Sequence, residues 1–312
     1  MMASMTTLLF SHSACLGHET GGTHPEAPAR LRAVLSALEA AEFSYLDRRA
    51  APCATPEQIA RVHDSDYIAF VLDQVPQSGL IHLDPDTVLS PGSGEAALRA
   101  AGAVVAAVDA VALGQGRNAF CAVRPPGHHA ESDRAMGFCL FNNIAVGALH
   151  ARAVHGLQRI AVVDIDVHHG NGTQASFAAD PDLLYISLHQ WPLYPGTGHP
   201  RERGSGNIFN LPLGPGSGSA EFRRLVLDHA LPALDGFAPE MILISAGFDA
   251  HRNDPLADLD LVDEDYGWVT AEICRLAEIH AGGRVVSALE GGYDLRALAS
   301  AGAAHVRALM LG

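Results

Sequence analysis

Acidic and histidine side chains cluster in the segment Asp164–His169, directly after the apolar run Ile160–Val163. In an extended chain the side chains alternate between two faces, so Asp164, Asp166 and His168 project to the same side. Carboxylate oxygen and neutral imidazole nitrogen are both zinc ligands, and a divalent ion between them offsets the repulsion of the two carboxylates. The alternative is a solvated acidic turn, which is disfavoured because unpaired charges after a buried strand are costly. The pattern therefore indicates a metal site.

Three other predicted strands also end in polar residues. Each is followed by a short segment that combines histidine, aspartate or tyrosine with glycine, which lets the backbone approach a ligand closely. The strands and the segments after them are Asn118–Val123 with Arg124–His129, Met241–Ser245 with Ala246–His251, and Arg284–Leu289 with Glu290–Asp294. Open α/β sheets bind their ligands at the carboxyl ends of the strands. Four polar clusters at one sheet edge therefore predict one active site.

The residue types in these clusters suit hydrolysis at a metal ion. Asp166, His168 and Asp249 supply three candidate ligands and leave a fourth position for water or substrate, which is typical of a catalytic zinc site. The tandem residues His128 and His129 supply a candidate base for the bound water. An aspartate after a strand is also a common helix N-cap, so this plainer interpretation of Asp249 stays open.

Three further residues are candidates to position or assist these groups. Asp164 and Asn171 could orient a catalytic histidine through its second ring nitrogen. Tyr293, next to two glycines, is a candidate donor to an oxyanion that forms on a substrate carbonyl. Taken singly, a histidine pair is commonly a surface or capping feature, and a tyrosine is commonly packed in a core. The prediction rests on the coincidence of all these residues at one edge.

The frame for this site is predicted from the regular alternation of strand and helix patterns. This alternation predicts a single α/β domain over residues 1–312, with a mainly parallel sheet and helices on both faces. The central strand is predicted to run over Arg159–Asp166. Ser78–Gly94, rich in turn residues, is predicted to be a surface loop, and Trp191–Ser219 a long excursion that carries function.

Neither a membrane span nor a secretion signal is predicted. The longest apolar stretch, Ala96–Leu113, is interrupted by Arg99 and Asp109, so it indicates a buried helix, with Ser93 as its N-cap. The N-terminal residues 1–15 lack the basic flank and long apolar centre of a secretion signal. The five cysteines are widely spaced, without a C-x-x-C pair, which predicts reduced thiols in a cytoplasmic protein.

The chain is acidic, which bears on its partners. Its 312 residues contain 20 Lys and Arg against 35 Asp and Glu, and the formal net charge is −15. Such a chain is poorly suited to hold nucleic acid through phosphate contacts, so direct nucleic-acid binding is not expected.

The complete set of motifs resembles the zinc-dependent histone deacetylase superfamily. The motifs follow the family's order from His24–Arg30 to Tyr293, over most of the chain. They are Arg124–Ala130 (RPPGHHA), Gly137–Asn143 (GFCLFNN), Asp164–Thr173 (DIDVHHGNGT), Ser187–His189 (SLH), Tyr194–Thr197 (YPGT), Gly247–His251 (GFDAH) and Glu290–Tyr293 (EGGY). The histidine pair without a preceding tryptophan, and Asn171 in HHGNGT, are similar to the class II branch and its bacterial deacetylase-like amidohydrolases.

The resemblance implies an arginase-like fold and the hydrolysis of an N-acetyl amide to acetate and a free amine. It implies one zinc ion per chain, on Asp166, His168 and Asp249. The roles it implies for the other catalytic residues are general base and then acid for His129, cationic helper for His128 paired with Asp164, orientation of His129 for Asn171, and oxyanion stabilisation for Tyr293.

The resemblance also implies a narrow tunnel for the acyl-lysine stem. Phe138 and Tyr194 fall where the family has the aromatic walls, with Tyr194 in place of the usual phenylalanine. Gly137 falls where a backbone carbonyl meets the substrate amide, and Leu256 falls at the rim. Arg30 resembles the arginine of an internal channel for acetate release.

Two potassium sites are implied in the same way. The inner, structural site would use Asp164, Asp166, His168, Ser187 and Leu188. The outer site would use Phe177, Asp180 and Leu183.

The resemblance narrows the substrate without naming it. Polyamine-selective relatives carry a glutamate at the position of Leu256, and a leucine cannot attract a second ammonium group. This favours acylated lysine side chains or small neutral N-acyl amines over acetylpolyamines, which stay an alternative. A two-metal ureohydrolase is disfavoured because Asn171 stands where a second ion would need aspartate, and a non-catalytic metal-binding module would not need Tyr293. The acyl chain, the choice of zinc or iron, and the oligomeric state, a homo-oligomer included, are left open.

Overall fold

One parallel sheet forms the centre of the computed structural model, which describes residues 6–312. The strands in chain order are β1 (Thr7–Ser11), β2 (Asp47–Ala50), β3 (Ile81–His82), β4 (Val88–Leu89), β5 (Asn118–Cys121), β6 (Ile160–Asp164), β7 (Leu183–Gln190), β8 (Ile208–Leu213), β9 (Met241–Ala246) and β10 (Val285–Leu289). Eight of them form the sheet in the order β2-β1-β5-β10-β9-β6-β7-β8, and every neighbouring pair is parallel. The predicted mainly parallel sheet is confirmed, and β3 and β4 form a separate antiparallel hairpin.

Helices connect the strands, as the alternation in the sequence predicted. They are α1 (Pro28–Ala37), α2 (Pro56–Ile59), α3 (Ser65–Asp73), α4 (Ser93–Ala112), α5 (Asn143–His155), α6 (Asn171–Phe177), α7 (Ser219–Leu225), α8 (Leu231–Phe237), α9 (Asp263–His280) and α10 (Leu295–Leu311). A π-helical turn, Val226–Ala230, joins α7 to α8, and short 3₁₀ turns cover Ser13–Gly17 and Ala41–Phe43.

The helices cover both faces of the sheet. Side chains of the neighbouring strands β9 and β10 that point to opposite faces each contact a helix. Leu243 in β9 pairs with Val286 in β10, so Leu243 and the next residue of β10, Ser287, face opposite sides. Leu243 lies against α5 near Gly147, whereas the Ser287 hydroxyl lies 2.8 Å from Nε2 of His305 in α10. On the first face α4 packs on α5, and on the second α9 packs on α10.

The central strand β6 is buried along its whole length, which explains its continuous apolar sequence. Ile160–Val163 lie between β7 and β9 and are almost fully inaccessible to solvent. The strand ends at Asp164, two residues before the predicted end. There the carboxylate of Asp164 accepts a hydrogen bond of 3.2 Å from the N–H of Asp166, and this contact turns the chain.

Some elements were not predicted from the sequence. The edge strands β2 and β8 each pair on one side only and carry polar residues, so neither has a long apolar run. β8 lies within Trp191–Ser219, which was predicted as an excursion. Ser78–Gly94, predicted as a surface loop, contains the β3–β4 hairpin and buries Val88 and Leu89.

Ser93 is the first residue of α4, and Gly92 takes the N-cap position that was predicted for Ser93. The Ser93 hydroxyl accepts a hydrogen bond of 2.7 Å from the N–H of Ser90 and lies 2.6 Å from Nδ1 of His18. It therefore ties the start of the helix to two preceding loops.

The remaining predictions concern the N-terminus, membrane spans, the cysteines and the number of domains. The N-terminal segment predicted not to be a secretion signal begins with Met1–Met5, which lie outside the described residues. Within residues 6–312 no helix is long and apolar enough to cross a membrane. All five cysteines are free thiols, and Cys53 is exposed. The single domain over residues 1–312 stays a prediction.

Candidate active site

The four polar clusters meet because their strands are neighbours. β5, β10, β9 and β6 lie side by side and parallel, so their carboxyl ends form one edge of the sheet. The structure brings together at this edge Arg124–His129, Glu290–Asp294, Ala246–His251 and Asp164–His169.

The three candidate metal ligands converge in the buried centre of the site. Nδ1 of His168 lies 3.1 Å from Oδ1 of Asp166 and 3.2 Å from Oδ2 of Asp249. Oδ2 of Asp249 is buried and makes no hydrogen bond, although its Oδ1 accepts one of 2.9 Å from the N–H of Val167. Ligands bound tetrahedrally to zinc lie roughly 3.4 Å from one another, given metal–ligand distances of about 2.1 Å. The donor set therefore fits one divalent ion.

Two glycines make room for the ligand carboxylates. A Cβ atom on Gly247 would collide with the carboxylate of Asp166, and one on Gly291 would collide with that of Asp249. The N–H of Gly291 also donates a hydrogen bond of 2.8 Å to Oδ2 of Asp166. A side chain at either position would displace a ligand carboxylate, which explains why glycine follows β9 and β10.

A second convergence of histidine and aspartate has a different geometry. Nε2 of His150 and Nε2 of His155 each lie 2.7 Å from Oδ1 of Asp109, at the contact of α4 with α5. This separation is that of a hydrogen bond and is too short for two ligands of one ion. We therefore interpret this group as a hydrogen-bonded cluster.

The adjacent histidines have partners of different charge. Nδ1 of His128 donates to the carboxylate of Asp164 over 3.0 Å, and Nδ1 of His129 donates to the amide oxygen of Asn171 over 2.9 Å. Burial alone would lower the pKa of His128, but the carboxylates of Asp166 and Asp164 raise it well above the usual value. Burial, together with the rings of His128 and His168, holds the pKa of His129 well below the usual value. These surroundings therefore favour the protonated form of His128 and the neutral form of His129.

Glu131 and Tyr185 fix the orienting groups, and the sequence analysis missed both. Nδ2 of Asn171 donates to Oε1 of Glu131 over 2.7 Å, which assigns the amide oxygen to His129. The hydroxyl of Tyr185 donates to Oδ2 of Asp164 over 2.9 Å. Glu131 directly follows the RPPGHHA motif, so its position was the available signal.

Glu290 fixes the backbone that carries the histidine pair. Its Oε2 accepts hydrogen bonds from the N–H groups of Gly127 (2.6 Å) and His128 (3.2 Å), while Oε1 is buried without a partner. Burial raises the pKa of Glu290 to about 7. The motif EGGY had drawn attention to Tyr293, whereas its glutamate sets the turn that carries the histidines.

A cavity of about 220 Å³ leads to the ligands. Its lining includes all four predicted substrate-binding residues, Gly137, Phe138, Tyr194 and Leu256, together with His128, His129, His168 and Tyr293. Tyr194 is 40% exposed, and its ring centroid lies 5.2 Å from that of His129. Aromatic rings therefore form part of the cavity wall, and the candidate metal ligand His168 and the histidine pair belong to the same lining.

Phe138 is held in an unusual backbone conformation beside this cavity. Its φ of 69° lies in the left-handed region that few residues other than glycine adopt. Its N–H donates to Oγ1 of Thr87 over 3.2 Å, and its ring packs edge-on against Tyr293, with centroids 5.8 Å apart. The strain places the ring in the wall of the cavity.

Asp86 lines the cavity too, and the sequence analysis missed it. It belongs to the turn between β3 and β4, within the segment predicted as a surface loop. Burial and the neighbouring Asp84 raise its pKa. The structure thus adds a carboxylate to the lining that contains Leu256.

Arg30 lies behind Tyr293 in a buried group of charges. Its Nε donates to the carbonyl of Gly292 over 2.6 Å, and its guanidinium carbon lies 4.8 Å from the centroid of the Tyr293 ring. Glu26 binds both Arg30, at 3.1 Å, and Arg124, whose Nε donates to it over 2.7 Å. All three side chains are fully buried, so this group connects the HPEAPAR segment with the start of RPPGHHA.

The residues of the two implied potassium sites differ in their fit. The inner set, Asp164, Asp166, His168, Ser187 and Leu188, is buried where the neighbouring strands β6 and β7 meet. The outer set, Phe177, Asp180 and Leu183, does not fit an ion, because the side-chain nitrogen of Asn207 already lies among its three carbonyl oxygens.

Comparisons with known proteins find similar sequences and a similar structure. A family model described as the histone deacetylase domain matches residues 24–309. Histone deacetylase 14, chloroplastic, of Arabidopsis thaliana is 42% identical over 325 residues, covering 97% of this chain and 76% of that protein. A histone deacetylase-like amidohydrolase of Pseudomonas aeruginosa is 42% identical over 278 residues, covering 87% of this chain and 73% of that protein. The crystal structure of the HDA15 HD domain matches with a TM-score of 0.93 and 36% identity, covering 99% of this chain and 88% of that one.

Proposed function

The chain belongs to the histone deacetylase family of amide hydrolases, and we propose that it removes acetyl or other short acyl groups from N-acyl-lysine-like amides with one bound zinc ion. Asp166, His168 and Asp249 would hold the ion. One observation carries the proposal: the ligand set that fits a divalent ion reaches, through His168, the small cavity that is also lined by His129 and Tyr293. These are the groups that metal-assisted amide hydrolysis requires.

Each protein group has a step that its contacts support. Zinc, when bound, supplies polarisation of the substrate carbonyl and a water of lowered pKa. His129 would accept a proton from the attacking water at Nε2, because its Nδ1 donates its hydrogen to Asn171. The same ring then returns the proton to the leaving amine as the general acid.

His128 and Tyr293 stabilise the charge that develops in the transition state. His128 stays cationic beside Asp164 and contributes electrostatically. Burial raises the pKa of Tyr293 well above its usual value, so its hydroxyl stays protonated and can donate to the oxyanion. The edge-on contact with Phe138 and the guanidinium of Arg30 fix the position of the ring.

An acylated lysine side chain suits the shape of the cavity. A volume of about 220 Å³ between aromatic walls admits a slender alkyl stem and excludes bulky groups. Leu256 in the lining gives no charge for a second ammonium group, whereas Asp86 in the same lining could supply one. Acetylpolyamines are therefore the second candidate substrates, and Asp86 is the observation that favours them.

Two other functions have less support. A second metal ion beside the first would need free carboxylates, but Asp164 is engaged by His128 and Tyr185, and Asn171 is a neutral amide. A binding module without catalysis would not need a strained Phe138 to form the wall of a reactive cavity. We further propose an inner structural potassium ion and a cytoplasmic location, which the free thiols support.

The test is hydrolysis of acetyl-lysine peptides, acetylpolyamines and small acyl amides by the purified, zinc-loaded protein. Tyr293→Phe should lower kcat about 100-fold to 1000-fold and leave KM and the melting temperature nearly unchanged, because only the oxyanion donor is lost. Tyr45→Phe, at a tyrosine that is 81% exposed, is the matched control and should act as wild type. Full activity of Tyr293→Phe would refute the assigned role, and no turnover of any amide would refute the function.

A further inference from the structure

Three backbone carbonyls converge where α6 ends and β7 begins. They belong to Phe177, Asp180 and Leu183, spaced three residues apart, and the family resemblance assigns them to an outer potassium ion. In this structure Nδ2 of Asn207, the residue before β8, lies 2.8 Å from the Phe177 oxygen, 2.8 Å from the Asp180 oxygen and 2.6 Å from the Leu183 oxygen. A nitrogen at hydrogen-bond distance from all three oxygens occupies the point that a shared cation would take.

The orientation of this amide is fixed by its other end. Oδ1 of Asn207 accepts a hydrogen bond of 3.0 Å from the N–H of Ser205. A flipped amide would lose this bond and would place an oxygen against three carbonyl oxygens, which repel it. The group that faces the carbonyls is therefore the NH₂ group.

The amide satisfies a buried polar site without a charge. Asn207 is 5% exposed, and its own carbonyl accepts the N–H of Tyr185 in the sheet, at 3.0 Å. The carbonyls of Phe177 and Asp180 each accept one backbone N–H, from Asp180 and Leu183, so a further donor or a cation would use their second lone pair. Rings of carbonyls can bind a potassium ion that sheds its hydration shell. The NH₂ group offers two hydrogens to the three oxygens and so meets the same need.

We infer that the side chain of Asn207 replaces a monovalent cation in this protein. The far end of α6 is then fixed by the chain itself, whatever the potassium concentration. This matters for the site because α6 begins at Asn171, the partner of His129. The inference rests on the fold and would stand even if the proposed substrate were wrong.

The test removes the amide and asks whether a cation takes its place. Wild type and Asn207→Ala are melted in potassium chloride and in choline chloride of equal ionic strength. An ion at the inner site would act equally on both proteins, so the difference between them reports the outer carbonyls. We expect Asn207→Ala to melt lower in choline and to gain about 2–4 °C more than wild type from saturating potassium. An equal gain in both proteins would overturn the inference.

Asn210→Ala is the matched control, since Asn210 is also 5% exposed, lies on β8 and donates to Oε1 of Gln174 over 2.7 Å. It should lower the melting temperature without adding a response to potassium. Crystals grown in rubidium chloride give a second readout through anomalous scattering. We expect no rubidium among the three carbonyls in wild type and one ion there in Asn207→Ala. A rubidium peak there in wild type would overturn the inference, even if the variant failed to fold.

Discussion

The ring centroids of His128 and His129 lie 4.0 Å apart, yet the two rings donate to partners of different charge. The carboxylate of Asp164 stabilises a proton on one ring, and the amide of Asn171 gives the other no such support. The pKa values of two identical, adjacent side chains are thus shifted in opposite directions, because each ring contacts different groups. We propose that this difference divides the electrostatic and the acid–base roles between them.

Replacing His129 by alanine should lower kcat at least ~100-fold, because no other neutral base lies at that point of the cavity. Metal content should not change, since His129 is not one of the proposed ligands. Acetate release from an acetyl-lysine peptide, with elemental analysis of the same sample, measures both. His229→Ala, at an exposed histidine, should behave as wild type. Activity of His129→Ala close to that of wild type would remove this residue from the mechanism.

Asp249→Ala should abolish binding of the divalent ion, because it removes the ligand oxygen that makes no hydrogen bond. Elemental analysis after dialysis should find one ion per chain in wild type and almost none in the variant. Asp109→Asn is the control at the other histidine–aspartate cluster, whose 2.7 Å contacts are hydrogen bonds. It should keep the full metal content. Two ions per wild-type chain, one of them lost in Asp109→Asn, would contradict our interpretation of both clusters.

Glu26→Gln should destabilise the protein by about 3–5 kcal/mol, because two buried guanidinium groups lose their shared counter-charge. Burial opposes ionisation of Glu26, but Arg124 prevails and lowers its pKa to about 2. Since this pKa lies below that of the unfolded chain, the contribution is present at neutral pH and is lost as the pH falls toward 2. Urea unfolding at neutral pH measures the change. Glu42→Gln, in an exposed pair with Arg307, should have little effect, and a similar loss in both variants would contradict the argument.

His305 should make stability depend on pH in a mildly acidic range. Burial lowers its pKa to about 3, while its ring lies 2.7 Å from the Thr270 hydroxyl and 2.8 Å from that of Ser287. Between the ordinary pKa of histidine and this value, the unfolded chain binds one more proton, so the free energy of unfolding falls as the pH drops, by up to about 1.4 kcal/mol per unit.

The variant His305→Gln should flatten this dependence by about one proton, measured by urea unfolding at about pH 7 and about pH 5. Other buried histidines contribute equally to the pH dependence of both proteins, so the difference between the two slopes reports His305 alone. An unchanged slope would mean that His305 already carries a proton in the folded protein.

The predicted site residues stand next to recognisable strands, which is why the sequence could group them. A buried parallel strand has a continuous apolar run, and residues after it must lie at the carboxyl edge of the sheet. This reasoning placed Asp166, His168 and Asp249 together before any distance was known. The edge strands β2 and β8 have no such run, and both were missed.

Asp86 and Asn207 could not have been found in the same way. Asp86 reaches the cavity lining only through the β3–β4 hairpin, and nothing in the sequence next to Asn207 indicates the carbonyls that it contacts. Asn207 reaches back to the end of α6 and the start of β7, a relationship that exists only once β8 is paired with β7.

The sequence by itself determined the parallel α/β fold and the set of reactive side chains, because local periodicity and residue type can be read directly from the sequence. Only the tertiary structure decided the hydrogen-bond partner of each histidine, the carboxylate in the cavity lining and the amide among the three carbonyls. Those properties depend on burial and on partners across the fold, and distance in space sets their energies where separation in sequence does not.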